Sequence, residues 1–290
     1  MTRPVDRQHF NLPVSATVVD GLAPALDTVA EVGDPARRFL RRQWFSAAVE
    51  AYGGQASRTV VIKRGDGPVA ALPLVRLGPS ILRAAAVPGC YWPYRSFPVV
   101  DTLVSSDGDA LFAALGKSIR LLRLGPVYRG DPAVTVLDQA ASRAGWTRIE
   151  RVVAPSFWLD IPAQQQEGAW PRTSTLKKNR FHEKHLGAHG ALDWSFHTGD
   201  AWTSDLFDVL ADVEQRSWVA DRTDGSDAKF TATGHGDFWR LAAQDDVIAE
   251  AMWAAVLRID GKPMAFSFDM NLGALKHAIA NSYDPVVGKH

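Results

Sequence analysis

The sequence predicts two α/β domains in tandem, each a mixed, mostly antiparallel sheet flanked by helices. The first observation is a phrase that occurs twice, as TVVIKRGDGPVAALPLV (Thr59 to Val75) and as AAVLRIDGKPMAFSFDM (Ala254 to Met270). Each copy is an apolar strand, a Gly-containing turn, a Pro and a second apolar strand, so each reads as a hairpin. Pro68 and Pro263, and Ala70 and Ala265, keep the same spacing. The offset of about 195 residues is far beyond solenoid periods, which run to roughly 50. The second observation is size: 290 residues, 46% of them hydrophobic, can bury a core in each of two domains. The third is the alternation of helical and strand periodicities along the chain.

In order, Asp34 to Ala51 has Asp before Pro and then Phe39, Leu40, Trp44, Phe45 and Ala48 at helical spacing, which predicts one capped helix. The first hairpin follows. Ala86 to Asp101 carries three prolines and four aromatics and reads as a shaped loop ending in a strand. Helices are expected over Gly108 to Leu122 and Pro132 to Ala144, with a strand LRLGPVY between them and another strand from Trp146 to Asp160. Ile161 to Trp170 is polar and poor in β-branched residues, which sets the domains at 1–160 and 161–290. The second domain is expected to hold a basic helix (Thr173 to Leu186), a strand (Ala191 to His197), a helix from Trp202 to Trp218 and a short helix from Phe238 to Asp246. Ala251 to Ile259 is apolar on both faces, as a central strand is. Its partner puts Met264, Phe266, Phe268 and Met270 on one face and Ala265, Ser267, Asp269 and Asn271 on the other, a polar floor. Ala274 to Tyr283 closes the sheet.

Composition narrows function. Lys plus Arg and Asp plus Glu both number 32, so no global field selects DNA or an anionic membrane as partner. One cysteine, Cys90, excludes an intramolecular disulfide and a multi-cysteine metal site and fits a reducing compartment. The start MTRPVDRQHFNLP lacks the apolar core of a signal peptide, and no stretch approaches the roughly 20 apolar residues of a membrane span. A soluble cytoplasmic protein is expected. His182 and His185 lack H-E-x-x-H spacing, so no metal is expected, and neither a phosphate loop nor a G-x-S-x-G elbow is present.

Several residues could carry chemistry. Lys177, Arg180 and Lys184 form a basic stripe, with Lys178 beside it, that either grips a phosphate-bearing or acidic sugar substrate or is a solvated face. Glu214 borders the apolar stripe of its helix, four residues before Trp218. It is either a general base with a raised pKa or an ion-paired surface group. Asp269 is the competing base. His277 and Tyr283 share one side of the last strand.

Trp170, STLKKNRFHEKHL, VEQRSW, LRIDGKPMAFSFDM and ANSYDP together resemble the cellulose-biosynthesis-type branch of the GNAT acetyltransferase superfamily, whose members share with Fem-type aminoacyltransferases two GNAT-like domains in tandem. The resemblance implies an acyl-CoA-dependent N- or O-acetyltransferase using acetyl-CoA or another acyl-CoA, with a sugar or polysaccharide precursor as acceptor and no metal. It implies a base at Glu214 or Asp269, proton donation to the departing thiolate by Tyr283, acceptor contacts at Lys177, Lys178, Arg180, Trp218 and His277, and cofactor contacts at Asn281 and Ser282. A Fem-type transferase using aminoacyl-tRNA and a non-catalytic scaffold in exopolysaccharide assembly are the alternatives. In the GNAT pattern a Gly-rich turn and helix holding the CoA diphosphate follow the strand ending ANSYDP. The sequence stops at Gly288, Lys289 and His290, and a truncated product is the expectation, because a central strand left as an edge exposes unpaired backbone groups.

Overall fold

A computed structural model gives the fold of residues 12–54, 57–168, 170–222 and 224–287, the side chains of 221 and 222 excepted. Gly288, Lys289 and His290, and most of the N-terminal stretch weighed above as a leader, lie outside these described residues. The elements run β1 (Val14–Asp20), α1 (Ala25–Val32), α2 (Arg42–Ala51), β2 (Arg58–Arg64), β3 (Gly67–Arg76), β4 (Ala84–Ala86), α3 (Ser105–Leu115), β5 (Leu121–Arg123) and α4 (Pro132–Arg143). They continue α5 (Ile161–Gln166), α6 (Thr173–Leu186), β6 (Leu192–His197), α7 (Ser204–Gln215), α8 (Trp218–Arg222), α9 (Gly236–Ala242), α10 (Asp246–Ala251), β7 (Met252–Ile259), β8 (Lys262–Leu272) and β9 (Leu275–Tyr283). The fold is mixed α/β with two sheets, ordered β1-β2-β3-β4-β5 and β6-β7-β8-β9. The first is antiparallel up to β4 and parallel between β4 and β5, and β6 runs antiparallel to β7.

Contacts divide the chain into two compact units: Met1–Ile149, Asp237–Met252 and Met270–Ile279 form one, and Glu150–Gly236, Trp253–Asp269 and Ala280–His290 the other. In the first unit α1 packs on β3, α3 on β1 and β2, and α4 on α3. Its aromatic core joins segments remote in sequence: Trp44 meets Phe39 at 4.8 Å and Phe238 at 4.7 Å, both edge-to-face. Two buried ion pairs tie its irregular stretches together. Asp131 caps α4 by accepting from the N–H groups of Ala133 and Val134, and its other oxygen accepts from Arg37 at 2.7 Å. Arg37 also donates to the Ser96 hydroxyl and the Phe97 carbonyl. Asp107 likewise accepts from the Val104 N–H and from Arg64.

Both repeated hairpins form, with different turns. Asp260 and Gly261 have φ of 50° and 79°, the two positive values of a type I′ turn, whereas in the first hairpin Gly65 alone is positive at 62°. The first hairpin also carries a bulge between Ile62 and Lys63.

Two expectations are corrected. Asp34 does cap, by accepting from the Ala36 N–H, but it starts a 3-10 turn over Pro35–Arg37 and α2 begins only at Arg42. Arg37 is drawn inward to Asp131, which breaks the single helix. Trp146 to Asp160 forms no strand, and Ile149 and Phe157 are 92% and 94% exposed. Alternating apolar residues make a strand only where a neighbour takes the backbone hydrogen bonds, and none does so among the described residues. At the start of the polar Ile161 to Trp170 stretch, Asp160 accepts from the Ala163 N–H and opens α5.

We expect Asp131→Ala to cost about 3–5 kcal/mol in urea unfolding, because it strands the buried Arg37 charge and uncaps α4. A loss below about 1 kcal/mol would show that the pair does not hold this unit.

Candidate functional site

In the second unit α7 positions Glu214. Thr203 caps α7 by accepting from the Leu206 N–H, and the stripe of Leu206, Leu210 and Val213 is buried. That packing carries Glu214, 2% exposed, to the inner side of the helix end. Its carboxylate oxygens accept from the N–H groups of Lys229 and Phe230, both at 2.8 Å. Burial pushes the Glu214 carboxyl above its ordinary value, against the pull of those amides. Phe230, fixed in this way, packs edge-to-face on Phe266 and Phe268 of β8 at 5.4 and 5.1 Å. Glu214 therefore pins the 228–236 loop to the sheet.

That loop presents a residue the sequence reading missed. His235 lies between Gly234 and Gly236, and a Cβ on either would run into the carbonyl oxygen of Ala228 or of Phe230. The His235 N–H donates to the Ala228 carbonyl at 2.9 Å. Burial, then the charge of Lys229, pulls the half-buried imidazole below its usual pKa. The pattern T-G-H-G-D was the available signal: a histidine between two glycines marks a backbone that must pass close to another.

Arg216 was likewise overlooked inside VEQRSW. It donates from Nε to Asp284 at 2.8 Å, from one terminal nitrogen to Asp212, and from the other to the Pro263 carbonyl at 2.7 Å. Asp284 belongs to ANSYDP and Pro263 to LRIDGKPMAF, so one guanidinium joins three motifs. The Asp284 N–H donates to the Met264 carbonyl at 2.8 Å, which closes the junction. On the facing strands Arg258 donates to the Ser195 hydroxyl at 2.7 Å, and His197 lies within hydrogen-bond distance of the same oxygen at 2.9 Å.

The remaining candidates fall in several places. Asp269 lies on β8 and is 5% exposed. On β9 Ser282 is buried, Tyr283 half-buried and Asn281 exposed, so burial changes phase after Ile279. Lys177, Lys178 and Arg180 stand on α6, which has no buried residue, and Trp218 is half exposed at the start of α8. His277 groups with the first unit, where its Nδ1 lies 3.4 Å from the Tyr128 hydroxyl and its ring lies beside that of Tyr94. Burial lowers its pKa. Among the described residues there is no cluster of three or more His, Cys, Asp or Glu suited to a metal, and no helix is long and apolar enough to cross a membrane.

We expect Glu214→Ala to cost about 2–4 kcal/mol, since it leaves two buried N–H groups without acceptors. The pH dependence follows from the raised carboxyl. The folded chain keeps this proton longer than the unfolded chain, so the Glu214 contribution is full below 4.5 and is lost as pH rises through the folded value. Wild type should therefore lose stability relative to Glu214→Gln as pH is raised from about 4 to 7. A widening advantage for wild type over that range would reverse the assignment.

No curated protein sequence matches the chain. A conserved protein of unknown function from Bacteroides thetaiotaomicron is similar in fold, with TM-score 0.54, 12% identity, and 93% of this chain and 82% of that one covered. The C-terminal domain of a protein described as a lysylphosphatidylglycerol synthetase, from Agrobacterium fabrum, aligns with TM-score 0.45 and 15% identity over 90% of this chain and 66% of that one. A tandem GNAT protein from the clavulanic acid biosynthesis pathway aligns with TM-score 0.26 and 12% identity over 91% and 79%. Residues 173–290, less than half of the chain, match the family model of the acetyltransferase (GNAT) domain.

Proposed function

We propose that the chain is an acyl-CoA-dependent N- or O-acetyltransferase of the GNAT type, acting on a sugar, a polysaccharide precursor or a related small polar acceptor. The observation that carries this reading is the match of residues 173–290 to the acetyltransferase (GNAT) domain. The stretch matched contains Glu214, Asp269, Arg216 and Asp284, and so includes the junction made by Arg216.

Acyl-CoA would supply the activated acyl group as a thioester. The chain's own part is to orient the acceptor, hold a proton acceptor near its hydroxyl or amine and exclude water. Of the two carboxylates weighed for that acceptor, Glu214 already has both oxygens on backbone amides. That engagement suits Glu214 to a positioning role, holding the loop that carries His235, and Asp269 is the other candidate for the base. Tyr283, at the end of β9, is the candidate proton donor to the leaving thiolate. Ser282 and Asn281 precede it on β9, where the resemblance puts cofactor contacts. The solvent-facing stripe of Lys177, Arg180 and Lys184, with Lys178, suits an acceptor that carries negative charge.

The test is thiol release from acetyl-CoA with hexoses, amino sugars and sugar phosphates as acceptors, using protein expressed from its complete reading frame. We expect turnover with at least one of them, and a fall in kcat of about 10²- to 10⁴-fold in Asp269→Asn. Absence of saturable acetyl-CoA binding by calorimetry would remove the reading. Unchanged kcat in Asp269→Asn would remove the role of Asp269.

A further inference from the structure

β6 lies at one edge of the four-stranded sheet, so one side of its backbone has no strand beside it among the described residues. It belongs to the second unit, as do the residues of β7 that it pairs with. The Asp260 N–H donates to the Ala191 carbonyl at 3.0 Å, continuing the register that pairs Leu192 with Ile259. Hydrogen-bonded and non-hydrogen-bonded pairs alternate along an antiparallel ladder. Residues 193, 195 and 197 therefore bond to β7, and Leu192, Trp194 and Phe196 turn their N–H and C=O groups outward. Natural sheets protect such an edge with lysine, proline or a bulge. The strand LDWSFH has no lysine or proline, and its pairing with β7 runs without a shift.

The strand is apolar on one face and polar on the other. Trp194 and Phe196 share the apolar face and are 51% and 66% exposed. Phe196 stacks on Trp253 of β7 at 5.8 Å, which holds its ring in place. Asp193, Ser195 and His197 share the opposite face. Arg258 stands opposite Asp193 in the register yet donates to the Ser195 hydroxyl, whose oxygen lies 2.9 Å from His197 Nε2. Burial, then the charge of Arg258, lowers the His197 pKa. A carboxylate brought to this spot would offset that positive charge.

The order Asp-Trp-Ser-Phe-His, residues 193–197, is self-complementary. When the strand is laid antiparallel on a copy of itself about a two-fold axis through Ser195, Asp193 of each copy falls opposite His197 of the other, and Trp194 falls opposite Phe196. The backbone permits both pairings. Trp194 and Phe196 carry the outward groups and form hydrogen-bonded pairs, while Asp193 and His197 meet at non-hydrogen-bonded pairs, where side chains come closest. Aromatic pairs and opposite-charge pairs both stabilise facing strands. Moving the axis onto Trp194 would set Asp193 against Ser195 and leave no opposite charges paired. We infer that β6 docks on β6 of a second copy of this chain, joining two four-stranded sheets into one through Asp193, Trp194, Ser195, Phe196 and His197. One patch serves both copies, so the contact closes as a two-fold dimer.

The experiment is sedimentation velocity of the full chain over a range of concentrations, with cross-linking to read the register. A concentration-dependent equilibrium between monomer and dimer is the expected result. Trp194→Glu with Phe196→Glu changes exposed side chains, sets like charges against each other and should raise the dimer Kd at least tenfold. Phe157→Glu with Trp158→Glu, exposed aromatics elsewhere in the second unit, should leave it unchanged. On oxidation with diamide, Ser195→Cys should join into a covalent dimer. Its position faces itself at a non-hydrogen-bonded pair with Cα atoms about 4.5 Å apart, within the roughly 4.4–6.8 Å that disulfides span. Wild type, whose one cysteine, Cys90, is buried, should not cross-link, and neither should Trp194→Cys. A chain that stays monomeric at every concentration, as it would were β6 covered by another segment or reserved for a different partner, would overturn the interface. So would a Kd moved as much by the Phe157 and Trp158 changes as by those on β6, or cross-linking of Trp194→Cys in place of Ser195→Cys.

Discussion

The second unit depends on the fork of Arg216. A helix end, the start of β8 and the turn after β9 have no sequence reason to converge, and each leaves polar groups that burial would orphan. Arg216 satisfies one acceptor from each: Asp212, the Pro263 carbonyl and Asp284. Only a rigid planar head with several donors can do this at once, since an ammonium is a point charge without that geometry. Burial opposes the charge on Arg216, and the carboxylates of Asp212 and Asp284 outweigh it, keeping its pKa above the usual value.

The same device recurs elsewhere in the chain. Asp131 and Asp107 each accept from backbone N–H groups at or before a helix start and also pair with a buried arginine, Arg37 or Arg64. Glu214 accepts from two amides of the 228–236 loop, with the Lys229 charge acting on it in place of a paired arginine. Buried ion pairs add little net stability over well-packed apolar groups, but losing one partner is costly. These groups therefore fix where irregular segments lie. In the second unit they fix the loop bearing His235, the start of β8 and the turn that follows Tyr283.

Much of the fold was legible because it rests on local rules. The repeated Pro–Ala spacing and the D-G turn gave both hairpins, and α6 runs over the predicted Thr173 to Leu186 although none of its residues is buried. The two apolar faces of β7 matched a strand with a neighbour on each side, β6 and β8. What escaped depends on distant partners. Asp34 and Pro35 read as a helix start, yet the pull of Asp131 on Arg37, 94 residues away, ends that turn early. Trp146 to Asp160 has the alternation of a strand and nothing beside it to pair with among the described residues. Phe238 lies in a helix, as expected, and its packing on Trp44 could not be read from local pattern. For the candidate site, the motif segments were visible but the roles inside them were not. Glu214 stood out by its place on a helix stripe, and Arg216, two residues on, did not, because its three acceptors are 4, 47 and 68 residues away.

Arg216 and Asp284 act as a unit to hold the motif segments together. A double-mutant cycle on Arg216→Ala and Asp284→Ala, read by urea unfolding at pH 7, measures this directly. A coupling of about 1–3 kcal/mol is expected, as for a charge-assisted pair that is partly withdrawn from water. Additive effects, with coupling below about 0.5 kcal/mol, would contradict it and leave the convergence of those segments to apolar packing alone.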